Sequence, residues 1–331
     1  IFMNFRQVAD TMRLQLPFGI AQFGRCFRNE IAPRNFLFRQ REFNIAEFEY
    51  FIHPDEKKCP YLTSEIKKIK LQVLDTETQQ KGKKTLTDMT IGDLLKKKKL
   101  GEWHAYLLAE QYNWFVAIGL NPKNLKLREH MHTELSFYSS ATFDFDYAFP
   151  FGSDEIAGIA NRGQYDLQQH IKFSKKKLAL HDEKTNKKVV PRVIEPTFGM
   201  ERIFLALLYE AYEDDKKRGN IVLKLQPKLA PIKVAVFPLV NKNHEKARKI
   251  FDSLKSEFVS TYDKGGSVGR RYARADEQGV PYSVTVDFEE GVTIRNRDST
   301  KQVRVDEKDL VPVLRQLLHS EITFEKAGKK I

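Results

Sequence analysis

The chain predicts a mixed α/β protein in two parts: an α+β domain built on an antiparallel sheet flanked by helices, then a smaller α/β domain. Three observations predict this. Phe27–Arg34 and Phe38–Glu49 form two arms of alternating side chains about a turn marked by Pro33 and Asn35, the pattern of a β-hairpin. Arg202–Ala211 is a strongly apolar stretch that reads as a helix. After Pro231, short apolar runs alternate with amphipathic ones, the order expected of a small α/β domain.

The remaining elements follow in order. Residues 61–80 and about 103–119 read as helices from their apolar spacing. Residues 81–102 are basic and polar and read as part of an insertion covering about 56–125. Beyond the Arg202–Ala211 helix the chain turns polar at Glu213–Gly219, and Pro227 and Pro231 mark a linker. That places the two domains at 1–228 and 229–331. In the second, Lys233–Val240 reads as a buried strand, His244–Glu257 as an amphipathic helix, and Phe258–Tyr262 as a strand. Arg270–Glu277 follows as a helix, Pro281–Phe288 and Val292–Arg297 as strands, and Lys308–His319 as a closing helix.

A chain of 331 residues with 41% hydrophobic residues can bury a real core. No apolar run reaches the length of a membrane span and no N-terminal signal pattern is present. Cys26 and Cys59, without paired Cys/His spacing, exclude a disulfide framework or a structural zinc site and point to the cytoplasm. A net charge of +12 favours a polyanionic partner. The lysine runs at 67–68, 81–84, 96–99 and 175–177 read first as solvated faces and turns.

The hairpin carries chemistry. Arg28 and Glu30 share parity on one arm; Arg39, Arg41, Phe43, Glu47 and Glu49 share it on the other. One sheet face would then present guanidinium groups for phosphate or carboxylate oxygens beside an aromatic ring and carboxylates. The string Phe27-Arg28-Asn29-Glu30 through Glu49 resembles motif 2 of the class II aminoacyl-tRNA synthetases, in the glycine-type form. Val193–Arg202 resembles motif 3 of that family. Ala141–Phe145, Phe149–Gly152, Glu155–Arg162, Tyr165–Leu167, Gly266–Arg274 and Asp276–Gly279 also resemble it, so the likeness covers nearly the whole chain. The family's motif 1 and its Arg-Pro-Glu-Thr-Ala-Gln-Gly segment would precede Ile1, and the chain is expected to be the C-terminal portion of a longer product.

The resemblance implies a glycine–tRNA ligase. Glycine would be activated with ATP and Mg²⁺ to glycyl-adenylate, then passed to the 3′ end of glycine tRNA by a cytoplasmic homodimer. Both reactants of the first step are anionic, so positioning and positive charge matter most. Arg28 and Arg202 are the implied catalytic residues. Arg28 would bridge the α-phosphate and the glycine carboxylate, and Arg202 would neutralise the γ-phosphate and flank the adenine. Phe43 would stack on the adenine and Glu30 would meet its amino group. Arg39 or Arg41 would approach the β- or γ-phosphate. Glu195 would serve ATP, a Mg²⁺ ion and glycine. Glu47, Glu195 and Thr197, with Arg28, would line the glycine pocket, where carboxylates bind the ammonium group and exclude any added methyl. Thr197 stands where the family usually has Ser, and Glu201 where many relatives have Gly or Asp. Glu155 and Asp166 match family text as either site or scaffold. Arg270, Arg271, Arg274, Arg295 and Arg297 are the implied anticodon contacts. The competing reading is a catalytically inactive synthetase-like module that binds nucleic acid. Each arginine and aromatic also has a plainer role to exclude: an internal ion pair for Arg28, core packing for Phe43, a helix-start salt bridge for Arg202.

Overall fold

A computed structural model describes residues 1–183 and 185–331. It divides into two compact units, Ile1–Ala206 and Leu207–Ile331.

The first unit contains α1 (Phe5–Thr11), β1 (Phe18–Phe27), β2 (Glu42–Ile52), α2 (Ser64–Lys67), β3 (Lys70–Leu74), α3 (Thr76–Gln80), β4 (Thr87–Thr90) and α4 (Ile91–Lys96). Then come α5 (Glu102–Ile118), β5 (Leu125–Glu129), β6 (Ala141–Phe149), β7 (Gly152–Gly163), α6 (Tyr165–Ser174), the short ribbon β8 (Leu180–Asp182) and β9 (Lys187–Val189), and β10 (Arg192–Gly199). Eight strands make one sheet in the order β1-β2-β10-β7-β6-β5-β3-β4, antiparallel except where β3 meets β5. Alternation explains its two faces. Phe143, Phe145, Tyr147 and Phe149 on β6 are buried on one side. There α5 packs, with Phe115 against Phe145 at 5.3 Å between ring centroids. Asp144 and Asp146 point to the other side. Gly119 ends α5 in the left-handed conformation, φ 111°, a backbone region glycine enters without a Cβ penalty.

Two sequence expectations need correction. The hairpin exists, but its strands stop at Phe27 and begin again at Glu42. Residues 28–41 are a loop, closed by an isolated bridge between Arg34 and Arg39 and turned by Asn35 and Phe36 at φ 57° and 51°. Arg28, Glu30, Arg39 and Arg41 therefore do not ride on strands. Residues 61–80 are not one helix but α2, β3 and α3, because Ile69–Leu74 alternates and pairs with β4 and β5. Residues 56–125 thus add strands to the main sheet.

The second unit begins within α7 (Met200–Ala211) and continues through the ribbon β11 (Tyr212–Asp215) and β12 (Asn220–Leu223). It then forms β13 (Val234–Pro238), α8 (His244–Leu254), β14 (Ser260–Tyr262), α9 (Val268–Glu277), β15 (Tyr282–Val286), β16 (Val292–Asn296), β17 (Gln302–Val305), α10 (Leu310–Leu318) and β18 (Lys329–Lys330). The sheet order is β14-β13-β15-β16-β17-β18, with β13 parallel to both neighbours. Every residue of β13 is buried because both faces are covered. Val234 and Val236 pack with α8 and α10, while Ala235 and Phe237 pack with α9.

Candidate active site

The loop 28–41, β7, and the junction of β10 with α7 enclose a cleft. Its lining includes Arg28, Glu30, Phe38, Arg39, Phe43, Glu155, Thr197, Gly199, Glu201 and Arg202. The loop is held in place from within. Arg39 Nε donates to Glu30 Oε2 at 2.8 Å, and Arg41 Nε donates to the Glu30 carbonyl at 2.9 Å. Phe38 is buried edge-on against Phe149 and Phe151, at 5.3 and 5.4 Å. Arg202 reaches it from α7, with its guanidinium 4.4 Å from the Phe38 ring centroid. Arg202 also donates to the carbonyls of Phe38 and Glu155, at 3.2 and 2.7 Å, and lies 3.5 Å from the Glu155 carboxylate. Gly199 lets α7 start here: a Cβ would sit 3.1 Å from the Ile156 carbonyl. Glu201 accepts hydrogen bonds from the Asn44 backbone and side chain, tying α7 to β2.

Arg28 behaves differently. It is exposed, and its guanidinium stands 5.3 Å from the Phe43 ring centroid. Among the described residues no carboxylate forms an ion pair with it; Glu30 is taken by Arg39. This removes the internal ion pair as an account of Arg28. Phe43 lies on the cleft wall. Arg202 does bond internally, but to two carbonyls and an aromatic face, with one partly exposed carboxylate at longer range.

Deeper in, the sheet carries a carboxylate cluster. Register sets Glu47 on β2 opposite Thr197 on β10. Glu49 and Glu195 are buried, 2% and 9% exposed. Arg162, from β7, places Nη1 2.8 Å from both oxygens of Glu195. It also holds Asp166 with two bonds of 2.8 Å and lies 3.9 Å from the Tyr138 ring centroid. Burial raises the Glu49 pKa to about 9, and the charges of Glu195, Asp166 and Glu47 add to the rise. Glu49 is therefore a neutral acid at pH 7. Burial also raises the Glu195 pKa; the Arg162 charge and hydrogen bond oppose that rise, and the hydrogen bond with Glu49 adds to the opposition. Near Arg202, loss of water raises the Glu155 pKa and repulsion from Asp144 adds to it; Arg202 and Arg28 oppose both.

The structure thus brings together Arg28, Glu30, Arg39, Phe43, Thr197 and Arg202 in one cleft, with Glu47 beside Thr197. Arg41 secures the loop backbone. Glu195 faces Arg162 with both oxygens, so as placed it is not free to hold a metal ion. Among the described residues no group of three or more His, Cys, Asp or Glu side chains is arranged to hold one. Arg162 and Glu49 were missed by sequence reasoning. The signals were present: Glu49 shares its face with Glu47, and Arg162 closes the Glu155–Arg162 string.

The arginines of the second unit are mostly internal. Arg271, Arg295 and Arg297 are buried. Arg271 donates to the Pro238 and Gly266 carbonyls. Arg295 makes two bonds to Asp276, at 2.7 and 2.9 Å, and Arg297 donates to the Gly279 and Leu225 carbonyls. Arg274 binds Asp263 and the Gly265 carbonyl. Arg271, Arg295 and Arg297 brace the fold as placed, which differs from the expectation that they face bases; Arg274, although paired with Asp263, is exposed. Arg270 is exposed.

Comparison with known proteins agrees with this architecture. Residues 5–212 match the family described as "tRNA synthetase class II core domain (G, H, P, S and T)", and residues 233–317 match "Anticodon binding domain". The chain is 42% identical over 312 residues to a protein named glycine–tRNA ligase from Caldanaerobacter subterraneus subsp. tengcongensis, covering 92% of this chain and 58% of the relative. It is 41% identical over 317 residues to one of the same name from Ruminiclostridium cellulolyticum (94% and 59%). A third, from Malacoplasma penetrans, is 41% identical over 317 residues (94% and 60%). The chain spans about three fifths of the length of these curated relatives. It belongs to the class II tRNA synthetase family, carrying that family's core followed by an anticodon-binding domain.

Proposed function

We propose that the full protein is an ATP-dependent glycine–tRNA ligase, and that residues 1–228 carry its chemistry while 229–331 bind the anticodon. The observation that carries this reading is the unpaired Arg28 guanidinium beside Phe43, at the mouth of a cleft that Arg202 and the carboxylate cluster complete. An exposed guanidinium in a cleft, with no carboxylate partner, is suited to an anion.

In the activation step a glycine carboxylate oxygen attacks the α-phosphorus of ATP and pyrophosphate leaves. Arg28 is positioned to bind the oxygens of both reactants and offset their repulsion. Phe43 offers the adenine a face. Arg202, already carrying the Phe38 ring, supplies positive charge further along the phosphates. Glu30 and Arg39 fix one another and so set the loop geometry. Glu47 and Thr197 face the amino acid, and Arg162 holds the Glu195 carboxyl aligned behind them and opposes the rise in its pKa that burial imposes. Glycine is selected because this wall is polar and braced: an added methyl would meet carboxylates. In the second step the ribose hydroxyl at the RNA 3′ end attacks the glycyl carbonyl, and AMP leaves.

Magnesium commonly keeps several waters and binds substrate phosphates plus one or two carboxylates. Glu155, in the cleft beside Arg202, fits that role; Glu195 does not. The ion would neutralise phosphate charge. A homodimer acting in the cytoplasm, on glycine and glycine tRNA, completes the proposal. Among the described residues no helix is long and apolar enough to cross a membrane. The inactive-module alternative is disfavoured by the intact cleft, and the three relatives compared above all carry the ligase name.

Arg28→Ala in the full-length protein tests the assignment. Glycine-dependent ATP–pyrophosphate exchange should fall about 10²–10³-fold, the scale of removing one preorganised group from a developing charge. An unchanged rate would contradict it.

A further inference from the structure

A second cavity in the first unit, of about 570 Å³, is distinct from the cleft described above. It lies over β3, β5 and β6. Leu74, Leu86 and Met131 contribute apolar lining, Lys83, Lys84, Lys126 and Arg128 contribute positive charge, and Asp146 contributes a carboxylate. Arg128 is engaged with Asp144 and Glu134. Lys83 and Lys84 are exposed and Lys126 is half-buried, and no ion pair is found for these three among the described residues.

Register connects this cavity to the cleft. Lys126 on β5 is opposite Asp146 on β6, and Asp146 is opposite Glu155 on β7. One residue pair along, Arg128 is opposite Asp144, Asp144 opposite Gly158, Gly158 opposite Thr197, and Thr197 opposite Glu47. Cross-strand partners share a face, and strands lie about 5 Å apart. The basic cavity and the glycine wall therefore occupy one continuous sheet face, a few strands apart. The acidic end meets the amino acid; the basic end has three uncommitted cations over an apolar floor. That combination suits a single-stranded polynucleotide, with phosphates on the lysines and a base against the leucines and methionine. A small free anion would need less apolar lining and fewer lysines.

We propose that this cavity binds the single-stranded 3′ end of the RNA substrate, through Lys83, Lys84 and Lys126, as that end runs toward the cleft. The proposal rests on the ligase reading. Contact is to phosphates and one base face, so it is salt-dependent and largely independent of base identity.

The test uses the full-length protein and the variant Lys83→Ala/Lys84→Ala/Lys126→Ala. Binding of glycine tRNA, and of the same tRNA shortened by its 3′ single-stranded nucleotides, is followed across a salt series by fluorescence anisotropy. The parent should bind the shortened RNA about tenfold more weakly, while the variant binds both forms alike. The log–log salt slope for intact tRNA should be shallower by about two, at roughly 0.7 per phosphate contact on a single strand. The variant should keep its glycine-dependent pyrophosphate exchange, which also shows that it folds. Equal sensitivity of parent and variant to 3′ shortening would overturn the proposal. So would tRNA binding unchanged in the variant together with loss of inorganic phosphate binding that the parent shows, which would make this a small-anion site. If the triple variant does not fold, Lys126→Gln is read by the same cycle, with a proportionally smaller loss expected and no loss overturning the proposal. Absence of exchange in the parent refutes the ligase reading, whereas the binding cycle reads the cavity by itself.

Discussion

At the scale of single residues, the same side chain type serves opposite ends according to its partners. Arg28 is exposed beside an aromatic ring and without a carboxylate, while Arg162 is wrapped by two carboxylates and a tyrosine. The first is available to a ligand; the second orders the groups around it. Glu49 completes the cluster by remaining protonated. Its folded-state pKa of about 9 lies above the ordinary 4.5. Its contribution to stability is thus full below pH 4.5 and is lost as pH rises toward 9, because the native state holds a proton that the unfolded chain has released. Glu49→Gln removes that titration and preserves the shape. Between about pH 5 and pH 9 the parent should lose stability relative to this variant, read as denaturation midpoints at each pH; parallel curves would show that Glu49 is ionised in the folded state. Sequence grouped Arg28, Phe43, Thr197 and Arg202 through their motif strings, and the four line one cleft. It could not separate them from Arg271, Arg295 and Arg297. A sequence displays charge, whereas the partner that neutralises it, such as Asp276 for Arg295, is a property of the packed chain.

At the scale of elements, the errors have a common origin. Alternation persists through Arg28 and Arg41, but the ladder needs two strands in register. Asn35 and Phe36 turn the chain in the left-handed region before pairing is complete. At 61–80 the apolar period changes within the segment, from helical spacing to the alternation of β3, so a single-period reading merges three elements into one. The long helix α5 and the uninterrupted apolar run of β13 were legible. In the second unit the Arg295–Asp276 pair joins β16 to α9 with both partners almost fully buried. Asp276→Ala leaves a guanidinium buried without its counter-charge and should destabilise this unit by about 3–5 kcal/mol. Chemical denaturation followed by circular dichroism would measure it; a loss under about 1 kcal/mol would mean that water or another group replaces the carboxylate.

At the scale of the whole molecule, a synthetase core and an anticodon-binding domain lie on one chain, with an excess of positive charge suited to RNA. The fold class was readable from patterning, and the family from motif strings in order. The basic cavity was not, since Lys83 and Lys84 fall in a run read as solvated and nothing in the sequence sets Lys126 on β5 beside them. The most direct measurement is ATP–pyrophosphate exchange by the full-length protein with each of the twenty amino acids. The account predicts exchange with glycine alone. A folded protein that exchanges with none, or equally well with alanine, would contradict it.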